Sequence, residues 1–335
     1  FLARGSALGL AAVLAPELMR NARAQTQELS DEIIDRAAAL ADLNFTSEER
    51  ELMFDSVNEH LESLRAIQAM GLPNQVPPAM LFRPLGEDWA MGRHPADRSE
   101  PAPATILPRG SQVRLAPPAD GDLAFASVAE LSLWIHERKL SCREVTEFFI
   151  TRLEALNSTL HFMINPTFDR AREQARRLDE EAARGEFRGP LHGIPWGAKD
   201  LLAVAGTPTT WGAAPFQDQV LDTDAEVVRR LDEAGAVLLF KTSVGALAWG
   251  DVWFGETCRN PWDPEIGSSG SSAGSASAVA AGALPFALGT ETLGSIVSPC
   301  SRCGATGIRP TFGRVPRTGC MALTWSMDKI GPITR

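Results

Sequence analysis

The chain of 335 residues lacks several features that would assign it to a familiar class of protein. No stretch of 18 residues is apolar throughout, so the sequence predicts no membrane span. The formal net charge of −10 disfavours a nucleic-acid surface as the main partner. With 44% hydrophobic and 22% charged residues, the composition is that of a globular protein and not of a disordered one.

Cysteine is scarce, and the number of cysteines is odd. A chain of this length fills its core without disulfide bonds, so no disulfide framework is expected. Cys300 and Cys303 form a C-x-x-C pair, but neither a second pair nor a nearby histidine completes a zinc site. We therefore interpret the cysteines as small buried hydrophobic residues and predict no metal and no cofactor. The five are Cys142, Cys258, Cys300, Cys303 and Cys320.

Missing lysines and histidines exclude further classes of site in the Gly/Ser-rich segment that starts at residue 267. A phosphate-binding P-loop needs a lysine, and none lies between Lys241 and Lys329. The glycine spacing does not fit a dinucleotide fingerprint either. Residues 270–274 satisfy G-x-S-x-G, the nucleophile elbow of α/β-hydrolases, but that fold needs a histidine after the serine. All five histidines precede residue 193, so its base would have to lie beyond residue 335.

The first 125 residues divide into three parts by composition. Residues 1–24 contain an arginine, an apolar stretch and an A-x-A site, which is the layout of an export signal; an ordinary helix is the alternative. Residues 25–72 predict a pair of helices, the second begun by a capping box at Thr46. Residues 73–125 are rich in proline, as is typical of a linker or wrapping arm. We expect a periplasmic or secreted protein, or a cytoplasmic one if residues 1–24 are not a signal.

From residue 126 onward, predicted strands alternate with predicted helices. A helix is expected after Ser127, and another begins at the capping box of Ser141 and runs through Leu156. Such alternation predicts an α/β fold with a large, mostly parallel sheet that is covered by helices on both faces. Functional residues of these folds lie in the loops at strand ends.

A serine nucleophile without a histidine needs another general base. A lysine can serve when burial lowers its pKa toward neutrality, because desolvation disfavours the ammonium form. Lys199 lies in the apolar stretch 193–202, with Asp200 as its one charged neighbour. Lysines in such stretches more often extend their amine to solvent at the edge of the core. The local residues alone therefore leave the role of Lys199 open.

Three segments considered together resemble the amidase signature family. They are GIPWGAKDLLAVAGTPTTWG at residues 193–212, the Gly/Ser-rich segment with its continuation to residue 315, and SMDKIGPITR at residues 326–335. The segments occur in the family's order and at fitting distances, and the resemblance extends from about residue 127 to residue 335. It implies the amidase signature fold, a mixed sheet that in the family continues past this last segment.

The resemblance implies a Ser–cis-Ser–Lys triad. Lys199 matches the family's lysine, Ser271 the serine whose preceding peptide bond is cis, and Ser295 the nucleophile. The proton of Ser295 would pass through Ser271 to a neutral Lys199, and Ser295 would form an acyl-enzyme that water hydrolyses. The oxyanion would be held by backbone N–H groups of Thr292, Leu293, Gly294 and Ser295.

Four positions depart from the family pattern. Leu293 replaces the first glycine of the pair before the nucleophile, and we expect its side chain to narrow the mouth of the oxyanion hole. Ala273 replaces a glycine after the paired serines. Glu291 stands where aspartate is usual, and Val297 stands where arginine is common. We therefore expect a structural ion pair to be missing. None of these changes removes a proton-transfer group.

The sequence thus predicts an amidohydrolase that converts a linear carboxamide to a carboxylate and ammonia or an amine. The expected partner is a small-molecule amide, with neither nucleic acid nor membrane, and a homodimer stays open. One alternative is the glutamine-hydrolysing subunit of a tRNA-dependent amidotransferase. Another is a non-catalytic binding protein built on a decayed amidase fold.

Overall fold

In a computed structural model of the protein, the structure describes residues 29–71 and 113–335. These stretches belong to two compact units, one within residues 1–78 and the other within residues 79–335. The predicted export signal at residues 1–24 and most of the predicted proline-rich linker lie outside the described residues. Within the described part, no helix has the length and apolar character that crossing a membrane requires.

The described part of the first unit is a pair of helices, α1 (Asp31–Leu40) and α2 (Ser47–Ala69). The predicted capping box at Thr46 is present. The Thr46 hydroxyl accepts from the Glu49 N–H at 3.2 Å, and the Thr46 N–H donates to the Glu49 carboxylate at 2.8 Å. This exchange satisfies two N–H groups that have no partner inside the helix.

The second unit combines helices with a six-stranded sheet and a small two-stranded sheet. Its helices are α3 (Val128–His136), α4 (Cys142–Leu160), α5 (Phe168–Ala183), α6 (Glu226–Glu233), α7 (Ala273–Ala280) and α8 (Val297–Cys303). Its strands are β1 (Met163–Pro166), β2 (Pro195–Lys199), β3 (Val237–Thr242), β4 (Arg259–Asn260), β5 (Asp263–Gly267), β6 (Phe286–Glu291), β7 (Thr306–Gly307) and β8 (Lys329–Thr334). The predicted α/β class is confirmed.

The large sheet is mixed, with strand order β1-β3-β2-β6-β8-β7. Its centre is parallel, since β2 pairs in parallel with both β3 and β6. The other three pairings, β1–β3, β6–β8 and β7–β8, are antiparallel, so the expected parallel character holds for the centre alone. Two neighbouring parallel strands need a crossover connection, which is usually a helix. Because a loop and not a helix joins β7 to β8, these two strands are antiparallel.

The helices that flank the sheet begin where the sequence predicts. The hydroxyls of Ser127 and Ser141 each accept a hydrogen bond from the N–H of the glutamate three residues on. Helix α4 continues to Leu160, four residues past the predicted end, and stops at His161 in the left-handed conformation. Near α3, Arg114 of the predicted linker bonds the Glu130 carboxylate at 2.7 Å, so the described end of that segment packs on the core.

The carboxyl ends of the three parallel strands carry the polar residues of the core. Lys199, Thr242 and Glu291 end β2, β3 and β6, and all three are fully buried. Because the carboxyl ends of parallel strands meet at one edge of a sheet, these residues lie together. That edge is where the site is assembled.

Candidate active site

Lys199 is fully buried, and its amine is surrounded by hydroxyl and carbonyl oxygens. Its Nζ lies 2.8 Å from Ser271 Oγ and 2.9 Å from Ser272 Oγ. On the other side it lies 2.8 Å from Thr290 Oγ1 and 3.3 Å from the Thr290 carbonyl oxygen. All these partners are neutral groups, so nothing in direct contact with the amine stabilises a positive charge as a carboxylate would.

Burial lowers the pKa of Lys199 to about 7, because removal from water disfavours the ammonium form. The charges of Glu291 and Asp328 act in the opposite direction but do not outweigh burial. A lysine with this pKa is largely neutral at slightly alkaline pH and can accept a proton there. This property fits a general base.

Ser271 and Ser272 are held by a glycine turn in front of a buried helix. The peptide bond between Gly270 and Ser271 is cis. A Cβ atom at Gly270 would lie 1.8 Å from the carbonyl oxygen of Gly250, so glycine is required there. Helix α7 follows directly, and its small residues are buried from Ala273 through Val279. The Gly/Ser-rich segment is therefore a packed turn that directs two hydroxyls at Lys199.

Ser295 lies in the turn that connects β6 to α8. The Ser272 N–H donates to the Ser295 carbonyl oxygen at 3.1 Å, which places this turn against the paired serines. Ser295 itself is half-buried. The hydrogen bonds of the described residues thus join Lys199 to Ser271 through side chains, and join the serine pair to Ser295 through the main chain; none links the hydroxyls of Ser271 and Ser295.

The four predicted oxyanion-hole residues form the same turn. The Thr292 hydroxyl donates to the Asp328 carboxylate at 2.6 Å, which ties the start of the turn to the strand β8 region. Gly294 has φ +109°, a conformation that side-chain-bearing residues rarely adopt. The Leu293 side chain is 78% exposed, so it lies at the surface of the turn.

Glu291 fixes the far end of this turn. Its carboxylate accepts hydrogen bonds from the N–H groups of Ile296 at 2.8 Å and Val297 at 2.9 Å. It also forms an ion pair with Arg309 at 3.0 Å. Burial opposes ionisation of Glu291, but these three donors outweigh it and hold its pKa below the ordinary value. Position 297 carries no charge, and Arg309 is the cation that pairs with Glu291 in this structure.

Sequence reasoning missed several groups that complete the site. Ser272 and Thr290 both bond the Lys199 amine, and the Ser272 hydroxyl also exchanges hydrogen bonds with the Thr290 main chain at 3.1 Å. Asp251 accepts from the Ser269 N–H at 2.7 Å and anchors the start of the serine turn. Ser272 could have been noticed as the neighbour of Ser271, whereas Thr290 and Asp251 carry no local signal.

A cavity of about 310 Å³ adjoins the site. Thr290, which bonds Lys199, and Thr292, which begins the nucleophile turn, both line it. The cavity therefore offers space for a small ligand beside the groups that would react.

A buried lysine that faces two serines at the edge of a mixed α/β sheet defines a serine–lysine site, not a serine–histidine one. Residues 144–335 match the family model Amidase, and the chain belongs to this family. The predicted membership in the amidase signature family is thereby confirmed.

Relatives with curated descriptions include a glutamyl-tRNA(Gln) amidotransferase subunit from Moorella thermoacetica, 43% identical over 217 residues, and its counterpart from Prochlorococcus marinus, 42% identical over 212 residues. The matches cover 64% and 62% of this chain but 45% and 43% of those proteins. The chain thus spans less than half the length of the curated relatives that it matches.

Similar solved structures include the native peptide amidase of Stenotrophomonas maltophilia, with a TM-score of 0.60 and 37% identity. That match covers 64% of this chain and 46% of the peptide amidase. A fatty acid amide hydrolase matches with a TM-score of 0.61 and 25% identity, over 64% of this chain and 39% of that one. The amidase signature fold is therefore confirmed for the second unit.

Proposed function

We propose that this protein is an amidohydrolase that cleaves linear carboxamides through an acyl-enzyme on Ser295. One observation carries the proposal: the fully buried Lys199 amine, with its pKa lowered to about 7, lies 2.8 Å from the Ser271 hydroxyl. Such an amine has no need of a histidine to remove a proton from a serine.

In this mechanism Lys199 is neutral when substrate binds. The Ser295 Oγ attacks the amide carbonyl carbon while its proton passes to Ser271, and the proton of Ser271 passes to Lys199. Collapse of the tetrahedral intermediate breaks the C–N bond, and the leaving nitrogen takes a proton back along the same path. Water then attacks the Ser295 ester, which yields the carboxylate and regenerates the serine.

Backbone N–H groups of the turn that contains Thr292, Leu293, Gly294 and Ser295 would stabilise the oxyanion. Loss of one such donor typically raises a barrier by about 3 kcal/mol. Since the oxyanion exists only during reaction, this turn has to be rigid beforehand. The Glu291 carboxylate at one end and the Thr292–Asp328 hydrogen bond at the other provide that rigidity.

The first test is Ser295→Ala in the intact protein. Hydrolysis of a simple amide such as benzamide should fall by at least about 10³-fold, since the attacking oxygen is gone. A fluorophosphonate probe should label the unaltered protein at Ser295 and leave the variant unlabelled. Ser298→Ala, which removes the hydroxyl of the serine three residues further along the chain, is the matched control and should retain labelling. Activity that survives in Ser295→Ala would refute the assignment of the nucleophile.

The curated relatives favour a second candidate, the glutamine-hydrolysing subunit of a tRNA-dependent amidotransferase. In that case the ammonia released from glutamine would be passed on, and the protein would work with a tRNA and with further subunits. The prediction of no nucleic-acid partner stays a prediction for this reason. Glutamine turnover that requires both aminoacyl-tRNA and a co-purifying partner protein would favour this candidate over a free-standing amidase.

We also propose export, on the layout of residues 1–24. Fractionation of cells that make the intact protein, with detection in the periplasm or medium, tests this. Retention of the whole population in the cytoplasm would contradict it and would agree better with the amidotransferase candidate.

A further inference from the structure

The cavity beside the site has an uneven distribution of charge. Arg317 and Lys329 line it as cations, and Asp328 lines it as the carboxylate. Asp328 is already satisfied, since it accepts from the Thr292 hydroxyl at 2.6 Å and from the N–H groups of Leu323 at 2.8 Å and Thr324 at 3.1 Å. The Asp328 carboxylate is thus already hydrogen-bonded to the turn and to the main chain that surround the cavity.

Arg317 and Lys329, by contrast, form no ion pair within the described residues. The Arg317 guanidinium stacks over the Phe312 ring at 4.7 Å, and it forms no ion pair with any carboxylate in the described residues. Stacking of this kind fixes the plane of a guanidinium and leaves its N–H groups free to donate. The fork of donors is then pre-organised for a planar anion.

Lys329 is 8% exposed, and its amine has neither a hydrogen-bond partner nor an ion pair among residues 113–335. Its pKa is lowered by burial and by the charge of Arg309, while Glu291 and Asp328 act in the opposite direction. A bound carboxylate would favour the charged form of this lysine. Such an anion would therefore be attracted by a cavity lined by two cations and by one carboxylate that already accepts three hydrogen bonds.

Size and position further limit the ligand. A volume of about 310 Å³ is at the lower end for small-molecule sites and suits a ligand of roughly ten non-hydrogen atoms better than a long acyl chain. Thr290 and Thr292 line the cavity, and Thr290 also contacts the Lys199 amine. A substrate amide at Ser295 could thus extend its remainder toward Arg317.

We propose that the site selects small primary amides that carry a carboxylate, and that Arg317, supported by Lys329, is the group that recognises this carboxylate. The proposal rests on the proposed amide hydrolysis and narrows its substrate class. It also explains why Arg317 and Lys329 line this cavity without a carboxylate partner, although the protein as a whole is acidic.

Three amides of graded structure test it in the intact protein. Glutaramate is glutamine without its amino group, and butyramide is glutaramate without its carboxylate. We expect kcat/KM for glutaramate to exceed that for butyramide by at least about tenfold, because a charge-assisted contact is present in one case alone. Glutamine should resemble glutaramate, unless its amino group is recognised as well, in which case it should exceed glutaramate.

Arg317→Gln should lower kcat/KM for glutaramate about tenfold or more, mainly through KM, and change that for butyramide less than about twofold. Arg317→Lys should restore part of the loss. Arg302→Gln removes an exposed arginine of α8 that does not line this cavity and serves as the control of equal charge. Equal losses on both substrates, or no loss on either, would overturn the proposal.

Binding separates this proposal from the proposed function. In Ser295→Ala, calorimetry should detect glutaramate, and the additional Arg317→Gln change should weaken it about tenfold, whether or not the protein hydrolyses amides. If the unaltered protein hydrolyses butyramide well but does not bind glutaramate in the Ser295→Ala form, the hydrolase stands and the carboxylate site does not. If glutaramate binds through Arg317 but no amide is hydrolysed, the carboxylate site is supported and the proposed hydrolase is refuted.

Discussion

The core contains two fully buried lysines on neighbouring strands, and their surroundings are opposite in kind. Lys199 ends β2 among neutral oxygens, whereas Lys241 on β3 lies 2.7 Å from the Asp200 carboxylate and 2.9 Å from the Thr209 hydroxyl. Burial lowers the pKa of both, but at Lys241 the charge of Asp200 counteracts that shift. Burial alone therefore does not make a lysine a general base. The amine must also lack a carboxylate partner that would stabilise its charged form.

The strand register explains how neighbours in sequence come to serve different roles. Ala198 of β2 lies opposite Lys241, and Lys199 lies opposite Thr242. Side chains alternate along a strand, so Lys199 and Lys241 extend to opposite faces of the sheet. Asp200 follows Lys199 directly, yet its carboxylate bonds Lys241 and the N–H of Thr210 at 2.8 Å. The sheet thus keeps this carboxylate away from the Lys199 amine.

The largest expected effect comes from removal of the unpaired lysine. Lys199→Met should lower amide hydrolysis by at least about 10³-fold, because Lys199 is the one basic group that contacts the Ser271 hydroxyl among the described residues. The variant should remain folded, since methionine fills a similar volume and leaves no buried charge. Steady-state rates together with circular dichroism check both points. Near-normal turnover would remove Lys199 from the mechanism.

Removal of the paired lysine should damage stability instead. Lys241→Met leaves the Asp200 charge buried without its partner, which should lower the free energy of unfolding by about 3–5 kcal/mol. Urea unfolding of the intact protein measures this. The double variant Asp200→Asn/Lys241→Met replaces the ion pair by neutral groups and should recover most of the loss. If the double variant is as unstable as the single one, the ion pair is not the cause.

The pH dependence of activity should follow Lys199 and not Lys241. Since the base must be neutral, kcat/KM should rise with pH through about 7, the pKa of Lys199, and level off about one unit above it. Below about pH 6 it should fall about tenfold per pH unit. The Asp200→Asn/Lys241→Met variant should keep the same midpoint. A midpoint near that of an ordinary lysine, about 10, would contradict the depressed pKa.

Local signals and the family resemblance predicted different parts of this molecule. The capping boxes at Thr46 and Ser141 were found from sequence because the interacting groups lie three residues apart. The alternation of helices and strands predicted the fold class, but it could not give strand direction where a loop replaces a helix before β8. The proximity of Lys199 and Ser271, 72 residues apart, came from the resemblance and not from periodicity.

What the sequence could not reveal depends on tertiary contacts. The Glu291–Arg309 pair joins residues 18 positions apart, and the departure at Val297 by itself pointed to a missing ion pair. The commitment of Asp200 to Lys241 likewise depends on the register of two strands. In both cases a charged residue pairs with a residue of another element, and such a pairing cannot be predicted from spacing along the chain.

The smallest effect should come from Arg309, which pairs with the buried Glu291 carboxylate. Its side chain is 53% exposed, so its ion pair with Glu291 is screened by solvent and should contribute less than about 1 kcal/mol to stability. Arg309→Gln keeps a donor within reach of Glu291, whose two backbone donors remain. We therefore expect at most a two- to threefold decrease in kcat, with Arg302→Gln as a control that removes an exposed cation without touching that carboxylate.

Glu291→Gln should lower kcat considerably more than Arg309→Gln, because it weakens both hydrogen bonds that hold the nucleophile turn. If Arg309→Gln lowers kcat as much as Glu291→Gln does, the turn depends on the ion pair more than on the backbone contacts.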